Sequence, residues 1–92
     1  MTKDEIRDIV AAAIQRIQSV SGRPCPPLQD TIRPLLEVEG FDSLNGLEAT
    51  IEIEQKLGSI RIENLFLSES GKSARTLETI VNEIVRAQRG AA

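Results

Sequence analysis

Ile6-Arg7-Asp8-Ile9-Val10-Ala11-Ala12-Ala13-Ile14-Gln15-Arg16-Ile17 is the stretch that decides the fold class. Its apolar residues Ile6, Ile9, Val10, Ala13, Ile14 and Ile17 recur at i, i+3, i+4, i+7, i+8 and i+11, one stripe of an α-helix. Upstream, Thr2 and Glu5 have capping-box spacing, which satisfies two otherwise orphan N–H groups and stabilises the start by about 1 kcal/mol. Asp4 and Glu5 also suit the positive end of the helix dipole. Downstream, Ser21-Gly22 supplies a stop. A first helix is expected over about 3–20.

The same spacing returns near the other end, where Leu77, Ile80, Val81, Ile84 and Val85 predict a last helix over about 76–88. Arg86 and Arg89 fall in its last turn, where cations are favoured. Between them, a helix is expected over about 43–57, with Leu44, Leu47, Thr50, Ile51, Ile53 and Leu57 on its buried side and Gly58 as its stop. Gly46 in its first turn costs about 1 kcal/mol relative to Ala. A short helix is placed at about 62–67, and Ser68–Ser73 reads as a solvated loop. Residues 21–42 carry Pro24, Pro26, Pro27 and Pro34 and read as an extended connection. That is long against the usual ~4–6 residues, so part of it must pack. Ile32, Leu35, Leu36 and Val38 are the expected anchors, with room for a short turn of helix. No strand pattern or internal repeat is present. The expectation is one all-α domain over 1–92, a four-helix bundle with three longer helices, a short third helix and a long loop between helices one and two.

Composition narrows what such a bundle can do. Ile, Leu, Val and Phe number 27 of the 92 residues, well above the ~20% level that signals disorder. There is no His, Trp or Tyr, one Cys and two Phe. The missing His removes the commonest general base and metal ligand, and one Cys removes disulfide frameworks and Cys-rich zinc sites. The chain is therefore expected to have no catalytic residues and no metal of its own. The net charge of −3 and the scarcity of aromatics disfavour nucleic acid as a partner. The longest apolar run, Ile9–Ile14, is six residues, far below the ~20 of a membrane span. No export signal opens the chain, so the cytoplasm is the expected compartment, and a monomer the expected state. Cys25, between prolines, reads as an ordinary reduced thiol.

The charge is unevenly placed. Residues 30–54 hold seven acids (Asp30, Glu37, Glu39, Asp42, Glu48, Glu52, Glu54) and one base, Arg33, a net −6, whereas the rest of the chain is +3. A solvated helix face accounts for such a run. A docking surface for a basic partner also does, and would raise association rates at the expense of salt sensitivity.

At the centre of that stretch stands Gly40-Phe41-Asp42-Ser43-Leu44. Asp42 or Ser43 as an N-cap, with Leu44 as the first core residue, accounts for the pentad structurally. Taken with the long loop before it, the acidic helix after it and the expected short third helix, the pentad resembles the acyl carrier protein family, including its peptidyl and aryl carrier relatives. The resemblance spans essentially the whole chain. It implies that Ser43, flanked by Asp42 and Leu44, receives the 4′-phosphopantetheine of coenzyme A from a phosphopantetheinyl transferase, and that the arm carries acyl groups as thioesters. It further implies that helix two is the surface partner enzymes recognise through basic grooves. Asn45, Leu47, Glu48, Ile51, Glu52 and Glu54 are then the recognition set, although core packing remains open for Leu47 and Ile51.

The chain departs from fatty-acid carriers at Asn45, where an acid is usual, and at Gln55 and Lys56, where acids are common. A specialised pathway (polyketide, peptide-like, aminoacyl or unusual lipid) fits as well as fatty-acid synthesis. The family also implies that an acyl chain could enter the aliphatic core near Leu47, Ile51, Ile62 and Val81, and an ordinary small core explains the same residues. The competing function is a small acidic adaptor, or degenerate carrier, that binds a basic protein without an arm.

Overall fold

A computed structural model describes residues 2–58, 64–68 and 72–90. Helix α1 spans Lys3–Val20, α2 Pro34–Glu37, α3 Ser43–Leu57 and α4 Leu77–Gly90, and among the described residues there is no strand beyond an isolated antiparallel bridge between Leu67 and Ala74. The architecture is an all-helical bundle. Its radius of gyration is 12.1 Å, against about 12 Å for one compact domain of this length.

The start of α1 is the capping box the sequence encodes: Glu5 N–H donates to Thr2 Oγ1 (3.2 Å) and Thr2 N–H to Glu5 Oε1 (3.0 Å). Its end is a Schellman closure. Gly22, at φ +69°, lets its N–H reach the Ser19 carbonyl (3.1 Å) while Arg23 N–H reaches that of Gln18 (2.8 Å), satisfying carbonyls that the helix leaves open. Helix α1 then packs against both α3 and α4. Ile6, Val10, Ala13, Ile14 and Ile17 are buried against Ala49 and Ile53 of α3 and the Leu77, Ile80, Val81, Ile84 stripe of α4 in one aliphatic core. Phe41 and Phe66 close this core with ring centroids 5.2 Å apart in an edge-to-face arrangement, a geometry worth about 0.5–1.5 kcal/mol beyond the area it buries.

Three expectations need correction. The first concerns the short third helix; the short turn of helix given room within the 21–42 connection is present as α2, which Pro34 opens at its first position, where the missing N–H is harmless. Of the segment expected to form a short third helix, residues 62 and 63 lie outside the described residues. Residues 64–67 form a turn leading into the Leu67–Ala74 bridge. There Asn64 Oδ1 takes the Phe66 N–H (3.0 Å) and Thr50 Oγ1 takes that of Leu65 (3.0 Å), so side chains bind donors a helix would have used internally.

The buried face of α3 is the second correction. Gly46, Ala49, Thr50 and Ile53 are buried and Leu57 is half-buried, whereas Leu44, Leu47 and Ile51 are exposed. At 100° per residue the two sets lie on opposite sides of the helix. Gly46 selects between them, because a Cβ there would stand 3.1 Å from Asn64 Oδ1, 3.3 Å from Phe66 Cβ and 3.4 Å from Leu35 Cδ2. A side chain at position 46 would oblige the 64–66 segment and Leu35 to give by a few tenths of an ångström. Third, Ile32 and Val38 anchor the long connection and Leu35 packs on the core, but Leu36 is exposed on α2. Residues 69–71 of the expected solvated loop fall outside the described residues.

No described helix is long and apolar enough to cross a membrane.

Candidate functional site

The pentad 40–44 is a chain reversal pinned from below with its last three residues left in solvent. Gly40 has φ +71°, and the Arg23 side chain lies across it so closely that a Cβ would fall 2.5 Å from Arg23 Cδ. Phe41 is buried, and its N–H donates to the Val38 carbonyl (3.0 Å). Asp42 is then the N-cap of α3: its backbone is extended and its carboxylate accepts the Asn45 N–H (2.9 Å), while its carbonyl accepts that of Gly46 (2.9 Å). Ser43 is the first helical residue and is exposed. Among the described residues its hydroxyl has no hydrogen-bond partner, and neither do the N–H groups of Ser43 and Leu44.

The Ser43 carbonyl, by contrast, is held. Asn64 Nδ2 donates to it (3.0 Å), and Thr50 Oγ1 ties the same two segments one turn further on, donating to the Gly46 carbonyl (2.8 Å) while accepting from Leu65 N–H. Beside this seam Ser43, Leu44, Leu47, Asn64 and Leu67 line an open groove of about 470 Å³. Sequence reasoning missed Asn64 and Thr50 as organisers of the site. It missed Gln18 and Arg23 as well. Gln18 had a legible signal, since a polar residue stands four after Ile14 on the buried stripe.

The recognition set divides by helix face. Leu44, Leu47, Glu48 and Ile51 form an exposed crest, with Leu44 61% and Ile51 48% accessible. Asn45 and Glu52, seven residues apart, form the flank toward α1. Asn45 Oδ1 accepts from Arg23 Nη2 (2.9 Å), and Glu52 is paired with Arg16 Nε of α1, with Lys56 Nζ at 3.9 Å from its other oxygen. Glu52 is thus neutralised within the chain. Glu54 is half-buried on the opposite flank, and among the described residues neither Glu48 nor Glu54 makes an ion pair. Asp30 is likewise taken up by Arg7 (3.0 Å). The acidic stretch therefore presents less free charge than its sequence count.

Of the residues expected near a sequestered acyl chain, Val81 is buried, Leu47 and Ile51 face outward, and Ile62 lies outside the described residues. Cys25 is half-buried, its Sγ 3.6 Å from the Pro26 carbonyl, and burial pushes its thiol up, which suits an unreactive thiol. Among the described residues no cluster of acids or thiols could hold a metal ion. No family model, curated protein or solved structure matches this chain.

Proposed function

We propose that the protein is a carrier whose Ser43 bears a 4′-phosphopantetheine arm. The observation that carries this reading is the state of Ser43: an exposed hydroxyl with no partner in the described chain, on a backbone fixed on both sides by the Asp42 cap and the Asn64 bond. A hydroxyl serving only as a cap or core contact would be engaged. The resemblance of Gly40–Leu44 to the acyl carrier motif supplies the group. The surroundings fit it: a phosphodiester on Ser43 Oγ stands at a helix start whose two nearest N–H groups are unpartnered, an arrangement that stabilises an exposed anion by about 0.3–1 kcal/mol.

Ser43 supplies the oxygen, and the transferase supplies its activation, since the neighbouring Asp42 carboxylate is engaged as the helix cap. When bound, the group provides a flexible arm ending in a thiol that holds acyl groups as thioesters. Leu44, Leu47 and Ile51, exposed beside the unpaired Glu48, form an apolar crest with an acidic neighbour that suits a partner with a basic-rimmed apolar groove. We place the protein in the cytoplasm, as a monomer that visits several enzymes of a specialised fatty-acid, polyketide or related pathway. The same crest would also serve an armless adaptor.

Intact mass after incubation with coenzyme A, Mg²⁺ and a broad-specificity phosphopantetheinyl transferase separates the two. The carrier gains one phosphopantetheine and Ser43→Ala gains none. A folded, initially unmodified protein that gains nothing is an adaptor or degenerate carrier.

A further inference from the structure

Four segments that meet below Ser43 are tied by one polar network. Gln18 is fully buried in the last turn of α1, and its Nε2 donates to the carbonyls of Pro24 and Glu39, both at 2.8 Å. One side chain therefore clamps the beginning and the end of the long connection. Its Oε1 is left to accept from Arg23, at 3.4 Å from Nε and 3.3 Å from Nη2. Arg23 covers Gly40 with Cδ and the adjoining Nε and Cζ and extends Nη2 to Asn45 Oδ1 on α3. Both of its side-chain acceptors are neutral amide oxygens, and among the described residues no carboxylate is paired with it. An acid at position 45 would convert the Asn45 contact into an ion pair; Asn45 keeps it a neutral bond and leaves the guanidinium charge uncompensated beside the first turn of α3.

Resting on the carrier reading, we infer that Arg23, held by Gln18 and acting through Asn45 and Gly40, is a positioning residue that fixes the register in which Asp42-Ser43 is offered to the transferase. It touches neither Ser43 nor the arm in this role. Losing it frees Gly40 and the first turn of α3 to move together, while the hydrophobic core, which Arg23 does not join, keeps the bundle folded.

The test uses the full-length chain and its Arg23→Met, Arg23→Lys and Asn45→Ala variants. Steady-state transfer kinetics are read beside thermal midpoints and amide hydrogen exchange at residues 40–46. Methionine keeps an apolar cover over Gly40 and removes the hydrogen bonds to Gln18 and Asn45. The expected results are a roughly tenfold fall in kcat/KM for Arg23→Met, carried mainly by KM, a similar fall for Asn45→Ala, and no further loss in the double variant. Faster exchange should be confined to the 40–46 reversal, and Arg23→Lys should recover part of the rate. Transfer within twofold of the parent in Arg23→Met, or single losses that multiply in the double variant, overturns the inference while leaving the carrier reading intact. If Arg23→Met does not fold, Asn45→Ala decides alone: transfer within twofold of the parent, or faster exchange that is not confined to residues 40–46, overturns the inference. A parent that accepts no arm overturns the carrier reading itself.

Discussion

Asp42, Ser43 and Leu44 are three consecutive exposed residues with three different physical duties, and substitution separates them. Asp42→Ala removes the side-chain N-cap of α3 and should cost about 1 kcal/mol, a fall in Tm of about 4–8 °C for a domain this size. Ser43→Ala removes a hydroxyl that bonds nothing in the described chain and should leave the Tm unchanged. Gly40→Ala faces both a left-handed backbone and the Arg23 stem. It should cost at least the ~1–2 kcal/mol of a non-glycine residue in that region, measurable by urea unfolding. At the other end of the chain, the Thr2 backbone and hydroxyl bonds hold the Glu5 carboxyl below the ordinary carboxylate range. A depressed folded-state value means that the stabilisation is present above the unfolded value and disappears as pH falls through the folded one. Acid titration should therefore loosen the first turn of α1, and Glu5→Gln should remove that component.

Within the elements, periodicity revealed the helices more reliably than it revealed their orientation. The α1 and α4 stripes each had a single apolar face, and that face is buried. Helix α3 has two apolar sets: Leu44, Leu47 and Ile51 at i, i+3 and i+7, and Ala49, Ile53 and Leu57 with Gly46 and Thr50. The sequence reading merged the two, placing Leu44, Leu47 and Ile51 on the buried side together with Thr50, Ile53 and Leu57. Packing chose the second, because small residues admit the 64–66 segment and Thr50 satisfies its buried Leu65 N–H. The turn at 64–67 in place of a helix was hidden for the same reason, since Thr50 and Asn64 side chains take the Leu65 and Phe66 N–H groups, a competition that only the tertiary structure reveals. Thr50→Val keeps the shape and strands that N–H, which should cost about 1–3 kcal/mol. Thr50→Ser should recover most of it, as equilibrium unfolding would show.

For the molecule as a whole, the packed side of α3 and the exposed crest proposed for recognition lie on opposite faces of the helix. Leu44→Ser combined with Ile51→Ser alters exposed side chains and should shift stability by about 0.5 kcal/mol or less at each site. On the carrier reading the crest is where the transferase lands, and the same double variant should then slow modification at least tenfold. Ile53→Ala, on the buried side, should cost about 2–5 kcal/mol. The pentad and the acidic stretch were readable from sequence as a candidate site. Their internal neutralisation was not, because Arg16 with Glu52 and Arg7 with Asp30 are paired across elements 36 and 23 residues apart. Loss of partner binding with salt should accordingly be shallower than seven acids would suggest.

The most direct test of the central claim is peptide-level mass spectrometry of the protein co-produced with a phosphopantetheinyl transferase. A single phosphopantetheine is expected on the tryptic peptide spanning residues 17–56, since the Arg23–Pro24 and Arg33–Pro34 bonds resist cleavage, with fragment ions that place it on Ser43. An unmodified chain, or a group carried on Ser68, Ser73 or any other hydroxyl, would contradict it.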